Sequence, residues 1–314
     1  MLQRKRSEYK DAVSKHYSID DNARSKHEQE TLRQVLVDVP RTAPGIGLFS
    51  DPDVRLRLGR LLYTWAARHP ASSYVQGIND LATPLIVVFV GSYFEGKNVL
   101  DDGNNCNSSR GGAAIVKGGK SEVGDEYRIA GGVLQDLTPE ILDEVEADVY
   151  WCLTNLLSGI QDHYTSDQPG VQRMVMRLEE LINRIDVDLA LHLRETGVEF
   201  MQFSFRWMNC LLLREFKLDR ISRLWDTYLS EEGGYDGVNA LGLIGGSSSS
   251  RGSSRMLGGG GSMVGGTMGN SGKSSASGFE TFHVYVCAAF LCKFSDKLRV
   301  LGFDELFGFM QVRI

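Results

Sequence analysis

Two side chains with an established use in phosphoryl transfer lie on short, restricted segments of this chain. Arg41 follows Pro40 in the sequence Val-Pro-Arg-Thr. Because a proline biases the residue before it toward extended geometry, we expect Val39 to be extended and the helical pattern to break just before the arginine. A guanidinium at such a corner can reach outward and bind phosphate oxygens in a bidentate fork.

Gln76 precedes Gly77 and lies between Tyr74 and an apolar run. This setting favours an amide presented from a tight turn over one packed on the face of a helix. GTP hydrolysis needs a group that neutralises developing charge and a group that orients the attacking water, and an arginine and a glutamine can supply them. The alternative is that each is an ordinary solvated residue, which is the commoner situation for an isolated arginine or glutamine.

The elements that must position these side chains are helical, because apolar residues recur at spacings of three and four. Four stretches have this pattern: residues 54–65, 141–160, 171–185 and 221–229. Thr138 and Pro139 supply an N-cap and a first-turn proline for the second stretch. Three arginines of the first stretch are expected to face away from the core: Arg55, Arg57 and Arg60. No long alternating pattern competes, so the sequence predicts an all-α fold.

Two segments differ in composition from the rest, residues 103–124 and residues 245–278. Both are rich in Gly and polar residues, so we expect them to be flexible insertions that the fold tolerates. Residues 114–121 satisfy a loose phosphate-loop pattern. That motif works only between a buried strand and a helix, and no strand character precedes it here, so we do not expect this chain to bind nucleotide.

Charge and residue spacing argue against several other functional classes. The net charge is -6, so no basic field favours nucleic acid or an anionic membrane. Five scattered cysteines form neither a CxxC pair nor a disulfide framework. His69, His163 and His283 are too dispersed for metal ligation, so we expect no metal site. No apolar run is long enough to span a bilayer and no secretory signal begins the chain, which favours a cytoplasmic protein.

The chain as a whole resembles the TBC family of Rab GTPase-activating domains, and within it the Golgi-associated branch. The matching blocks fall in the order of the family and cover nearly all of the chain outside the two insertions. In chain order they are Val35, Asp38, Arg41 and Pro44; residues 69–81; Glu146, Asp148 and Trp151; residues 159–165; residues 205–209; residues 213–216; residues 223–228; and residues 282–290.

This resemblance implies a multi-helix, V-shaped domain with two helical subdomains and two disordered insertions. It also implies that the chain is a GTPase activator, not itself an enzyme, whose partner is a GTP-bound Rab-family GTPase. Arg41 would stabilise charge on the γ-phosphate and Gln76 would position the water. GTP and Mg²⁺ are bound by the Rab, so the chain is expected to bind no cofactor. Its place would be vesicle traffic at the Golgi or other endomembranes, reached through partners.

Five neighbours of these two side chains are implied as supporting residues: Asp38, Tyr74, Gly77, Asn79 and Asp80. Asp38 is expected to steady the guanidinium of the arginine. Tyr74 and Asn79 are expected to hold the turn that carries the glutamine. Asp80 is expected to cap the helix that follows.

The chain departs from the family pattern at both ends. The family has an Arg- and Trp-bearing helix and a Gly-Tyr-Leu-Pro segment upstream, and further helices downstream, so residues 1–314 are expected to be an incomplete domain. A non-catalytic Rab-binding scaffold with the same fold is the alternative function, against which the presence of Asp38, Arg41 and Gln76 argues. A helical structural protein with no GTPase partner is a third possibility, favoured only by the missing ends.

Overall fold

A computed structural model describes residues 1–94, 136–165, 167–230 and 278–311. These residues form α-helices, 3-10 turns and loops without a β-strand, which confirms the all-α class. None of the described helices is both long and apolar enough to cross a membrane. The helices are α1 (Leu2–His16), α2 (Lys26–Asp38), α3 (Pro52–Arg68), α4 (Ile78–Ser92), α5 (Pro139–Gly159), α6 (Pro169–Ile185), α7 (Val187–Thr196), α8 (Phe200–Asn209), α9 (Leu218–Ser230), α10 (Gly278–Lys293), α11 (Ser295–Leu298) and α12 (Phe303–Gln311).

Side-chain caps mark where two of the helices, α2 and α5, begin. A capping box opens α2, in which the Glu28 carboxylate accepts from the Ser25 amide at 2.7 Å and the Ser25 hydroxyl accepts from the Glu28 amide at 3.3 Å. At α5 the Thr138 hydroxyl accepts from the Ile141 amide at 3.4 Å, and Pro139 occupies the first turn as predicted. These caps satisfy backbone donors that a helix start leaves unpaired.

The helices divide into two packed groups. In the first group α5 packs against α1, α3 and α4, and α2 packs on α3. In the second group α6 packs against α7, α8 and α10, and α12 packs on α8. Helix α9 contacts α10 and also reaches α4, so it joins the groups. This arrangement agrees with the two helical subdomains that the family resemblance implies.

All four predicted amphipathic stretches are helical, as α3, α5, α6 and α9. Most of their apolar residues lie in the core, where Leu61 and Leu178 are fully buried, while Ile185 and Leu229 at the ends of two stretches are exposed. The arginines of α3 differ from expectation. The Arg57 guanidinium donates to Asp143 at 3.0 Å and that of Arg60 donates to both Asp143 and Glu146, so both side chains face α5 and not solvent. Acidic residues on the facing side of α5 neutralise them.

The first proposed insertion, residues 103–124, lies outside the described residues. Residues 245–277 of the second also lie outside them, and Gly278, its last residue, is the first residue of α10. Helix α10 returns to the second group, where the rings of Trp207 and Phe290 pack edge to face with centroids 5.2 Å apart.

Candidate functional site

Arg41 ends a 3-10 turn, Val39–Arg41, that directly follows α2. The regular helix ends before the arginine, as predicted, but Val39 keeps helical angles (φ -54°, ψ -49°) and is not extended. The chain tightens into the 3-10 turn, and Pro40 occupies the first turn, where a missing N–H is tolerated. The hydroxyl of Thr42 donates to the Asp38 carbonyl at 2.9 Å and closes the corner. The Arg41 side chain is 55% exposed.

The carboxylate of Asp38 is buried beneath Arg41 and holds it. Arg41 Nε donates to Asp38 Oδ1 at 2.9 Å, and a terminal nitrogen of Arg41 also donates to that oxygen. The Tyr74 hydroxyl donates to Asp38 Oδ2 at 2.7 Å. Burial and this hydrogen bond raise the pKa of Tyr74 well above its usual range, so the phenol keeps the proton that it donates. Asp38 therefore contacts Arg41 as expected, and Tyr74 connects it to the second segment.

Gln76 is exposed and is followed by a sharp change of chain direction at Gly77. Gly77 has φ +111° and occupies the N-cap position of α4, without a side chain to cap the helix. An ideal Cβ on Gly77 would lie 2.6 Å from Asn209 Nδ2, so only glycine fits both the conformation and the space. The predicted tight turn is therefore present at this residue.

Asn79, buried in the first turn of α4, connects the two segments. Its Oδ1 accepts from the Gly77 amide at 3.1 Å and lies 3.2 Å from the Tyr74 hydroxyl. Its Nδ2 donates to the Thr42 hydroxyl at 2.9 Å. A single amide thus links the residue after Arg41 to the residue after Gln76, which is more than the support of one turn that the resemblance implied.

The Arg41 and Gln76 side chains line the same two cavities. One cavity of about 280 Å³ is also lined by Asp80, Arg214 and several apolar side chains. The other, of about 350 Å³, lies on the side of α2 and Tyr74. An exposed cation and an exposed amide at one concave surface can contact a single polar group of a docked molecule.

The capping role expected for Asp80 is wrong. Asp80 lies in the first turn of α4, buried, and its Oδ2 accepts from Arg214 Nε at 2.8 Å and from a terminal nitrogen of Arg214 at 2.6 Å. Burial raises the pKa of Asp80, and the pairing with Arg214 opposes that shift. Asp80 therefore links α4 to the segment before α9.

Sequence reasoning missed the supporting residues at the end of α8 and in the segment that follows it. Asn209 Nδ2 donates to the main-chain carbonyl of Gln76 at 3.2 Å, and Arg214 pairs with Asp80. Between them Leu211 and Leu212 have positive φ, at +51° and +61°, and both are buried. Asn209 and Arg214 fall within blocks that carried the family resemblance, but nothing in their local spacing indicates these contacts. No glycine marks the left-handed residues.

The dispersed histidines include one that joins an ionic cluster. Ligating atoms of Asp162, His163 and Glu280 lie within 4.8 Å of one another. Arg173 donates to Asp162 and to Glu280, each at 2.8 Å, so a guanidinium already bridges the two carboxylates. This cluster attaches α10 to α6, and none of its side chains lines the two cavities beside Arg41 and Gln76.

Comparison with known proteins relates this geometry to a family. Residues 2–238 match the family described as Rab-GTPase-TBC domain. The chain is 39% identical over 311 residues to the GTPase-activating protein gyp1 of Schizosaccharomyces pombe, covering 99% of this chain and 46% of that protein. It is 38% identical over 297 residues to TBC1 domain family member 22B of Homo sapiens, covering 95% of this chain and 43% of that protein.

A solved structure gives the same relationship. The crystal structure of the Ypt/Rab-GAP domain of Gyp1p matches with a TM-score of 0.71 and 37% identity, over 99% of this chain and 73% of that one. The chain spans less than half the length of the curated relatives that it matches. Family match, identity and fold agree, and the chain belongs to the TBC family of Rab GTPase-activating domains.

Proposed function

We propose that this chain accelerates GTP hydrolysis by a Rab-family small GTPase, with Arg41 and Gln76 supplied in trans. The observation that carries the proposal is their arrangement: both side chains are exposed on one concave surface, and buried hydrogen bonds through Asp38 and Asn79 hold their segments. The names of the relatives, a GTPase-activating protein and a Ypt/Rab-GAP domain, support the same activity.

Arg41 is preorganised for a transition-state contact. Asp38 binds the side of the guanidinium that carries Nε and one terminal nitrogen. The edge formed by the two terminal nitrogens keeps N–H groups for two oxygens of a phosphoryl group, the geometry in which arginine binds phosphate. Such an arginine contributes about 10³ to 10⁵ in rate, or about 4–7 kcal/mol of transition-state stabilisation.

Gln76 supplies the second contribution, orientation of the attacking water, in place of the switch glutamine of the GTPase. A side-chain amide offers one acceptor and two donors, so it can accept from the water and donate to the phosphoryl group. GTP and its Mg²⁺ are held by the partner, and this chain contributes side chains only. To orient the water, the Gln76 side-chain amide must point in one direction, and that direction depends on how the main chain of Gln76 is held.

The cellular setting that we propose is regulation of vesicle traffic at the Golgi or another endomembrane. The resemblance to the Golgi-associated branch of the family supports it, and a partner would bring the chain to the membrane. The distribution of a fluorescent fusion against Golgi and endosomal markers tests this setting. A uniform distribution under conditions that preserve Golgi morphology would contradict it.

The test of the activity is single-turnover hydrolysis by a panel of GTP-loaded Rab-type GTPases. Arg41→Ala is expected to lower the stimulated rate by about 10³-fold or more without changing helical content, because the contact forms in the transition state. Arg41→Lys should not restore the rate, since an ammonium lacks the bidentate fork. Arg4→Ala is the control: Arg4 is an exposed arginine paired with Glu8 on α1, far from the site in sequence, and its loss should have no effect.

The same assay separates an activator from a non-catalytic scaffold. A GTPase whose switch glutamine is replaced by leucine should still respond to the wild-type chain, and Gln76→Ala should abolish that response. A scaffold would bind the GTPase without stimulating hydrolysis in any combination. Retention of more than about a tenth of the stimulated rate by Arg41→Ala would refute the role of the arginine.

A further inference from the structure

The peptide bond that follows Gln76 is held at both of its polar atoms. We propose that Asn209 is a positioning residue that fixes the direction in which Gln76 presents its side-chain amide. The inference rests on the proposed function and adds to it a residue from the far end of α8. Asn209 does not line either cavity beside Gln76, so it would act only through the main chain of that residue.

The carbonyl and the amide of this peptide bond have separate partners. Asn209 Nδ2 donates to the Gln76 carbonyl at 3.2 Å, and the Gly77 amide donates to Asn79 Oδ1 at 3.1 Å. Because the six atoms of a peptide unit are coplanar, two hydrogen bonds on opposite edges fix the orientation of the plane. That plane begins at the Cα of Gln76, so it restricts where the side chain points.

The Asn209 amide is itself held in one orientation. Its Oδ1 accepts from Gln168 Nε2 at 3.3 Å, so its Nδ2 must be the atom that faces Gln76. Gln168 Nε2 in turn donates to the His163 carbonyl at 2.7 Å, and the Tyr164 hydroxyl donates to the Asn209 carbonyl at 2.7 Å. The side chain and the main chain of Asn209 are therefore anchored independently.

Close packing adds to the hydrogen bonds. Gly77 approaches Asn209 so closely that a Cβ would lie 2.6 Å from Nδ2. The segment after Asn209 is strained, because Leu211 and Leu212 are consecutive left-handed residues without glycine. Such strain costs about 1–3 kcal/mol per residue and concentrates at functional segments, where the surrounding structure maintains it. Here the strained pair, Leu211 and Leu212, lies just beyond the end of α8, at which Asn209 contacts Gln76.

The test measures whether the effect of Asn209 depends on the side chain that it is proposed to direct. Asn209→Asp and Asn209→Ala remove the donor, in the wild-type chain and in Gln76→Ala, whose residue 76 keeps the same carbonyl. In the wild-type background we expect kcat of stimulated hydrolysis to fall about 10- to 100-fold with KM changed less than about threefold, since small displacements of a catalytic group are costly. In Gln76→Ala the further loss should be less than about twofold, because no amide remains to be directed.

Stability provides the contrast. Asn209→Asp should lower the melting temperature by the same amount in the wild-type chain and in Gln76→Ala. Gln168→Ala is a milder second variant that leaves Asn209 in place and removes the partner of its Oδ1. It should lower kcat by a smaller factor than the Asn209 variants do, and only in the chain that keeps the Gln76 side chain. Asn183→Asp is the matched control: Asn183 Nδ2 donates to the Glu179 carbonyl on an exposed part of α6, and its loss should leave kcat unchanged.

Two outcomes overturn the inference in different ways. If Asn209 variants lower kcat by the same factor with and without the Gln76 side chain, Asn209 stabilises the fold and directs nothing, while the proposed function stands. If Gln76→Ala stimulates hydrolysis by the GTPase as fast as the wild-type chain does, the glutamine part of the proposed function fails. The positioning role then fails with it. Should the Asn209 variants not fold, an unchanged kcat in Gln168→Ala refutes the inference.

Discussion

A methyl group on residue 77 would measure how tightly the glutamine turn is packed. Gly77 has φ +111°, a backbone conformation that residues with a side chain rarely adopt. Its ideal Cβ position is 2.6 Å from Asn209 Nδ2 and 3.6 Å from Cys210 Sγ. Gly77→Ala must therefore strain the backbone and push the Asn209 amide away from its partners.

The magnitude follows from the contacts that would be lost. An alanine in this conformation costs about 1–2 kcal/mol of strain. Displacing the Asn209 amide breaks its hydrogen bonds with Gln76 and Gln168, worth about 1 kcal/mol each in net terms. The alanine returns about 0.4–1 kcal/mol by reducing the entropy of the unfolded chain. We expect the free energy of unfolding to fall by about 2–4 kcal/mol and stimulated hydrolysis to fall with it.

Gly197→Ala separates strain from contact. Gly197 ends α7 with φ +77°, and apart from its chain neighbours no described residue comes within 4 Å of its ideal Cβ. This variant should therefore lose no more than about 1.6 kcal/mol, from strain alone, and keep full activity. Urea unfolding followed by circular dichroism gives both free energies, and single-turnover hydrolysis gives the activity. Equal destabilisation of the two variants, or wild-type activity in Gly77→Ala, would refute the packing argument.

Two further predictions concern the scaffold. Burial lowers the pKa of His283 from 6.5 to about 3, while the Tyr228 hydroxyl lies 2.7 Å from its Nδ1 and the Trp207 carbonyl 3.2 Å from its Nε2. The pKa of His283 is lower in the folded state than in the unfolded state. The contribution of the neutral His283 to the free energy of unfolding is therefore complete above pH 6.5 and decreases as the pH falls toward 3. About 2 kcal/mol should be lost between pH 6.5 and 5, and His283→Gln should flatten that slope in urea titrations; parallel slopes would contradict the assignment. Replacing residues 245–277 by a short Gly-Ser bridge should change the free energy of unfolding by less than about 1 kcal/mol and leave hydrolysis unchanged, as entropy depends weakly on loop length. Protection of this segment in limited proteolysis would show that it is a docked element.

The sequence predicted those features of the fold that depend on neighbours in the chain. Apolar spacing located α3, α5, α6 and α9, because each helix buries one stripe whatever it packs against. Thr138 marked the start of α5 through a bond to a residue three positions on. The family pattern selected Arg41 and Gln76, and the structure brings both to one surface, while their catalytic roles stay a prediction.

The sequence could not predict contacts that depend on how the helices pack together. Arg57 has the spacing of a solvated residue, and only the packing of α5 against α3 gives it an ion pair with Asp143 in addition to its local pair with Asp53. Asp80 occupies a position typical of a helix cap, yet Arg214 lies 134 residues away along the chain. Left-handed backbone at Leu211 has no composition signal, because leucine is rare in that conformation. Such features are maintained by tertiary structure and not by local preference.

The separation between Gln76 and the asparagine beneath it also concerns how the protein is made. The two residues are 133 positions apart. At synthesis rates of about 5–20 residues per second, Gln76 is added to the chain roughly 7–27 s before Asn209 is added. A nascent chain, or a fragment cut before α8, thus carries Arg41 and Gln76 with the glutamine turn unsupported. Under the proposed positioning role, competence to act on a GTPase would then arise only after α8 has been made.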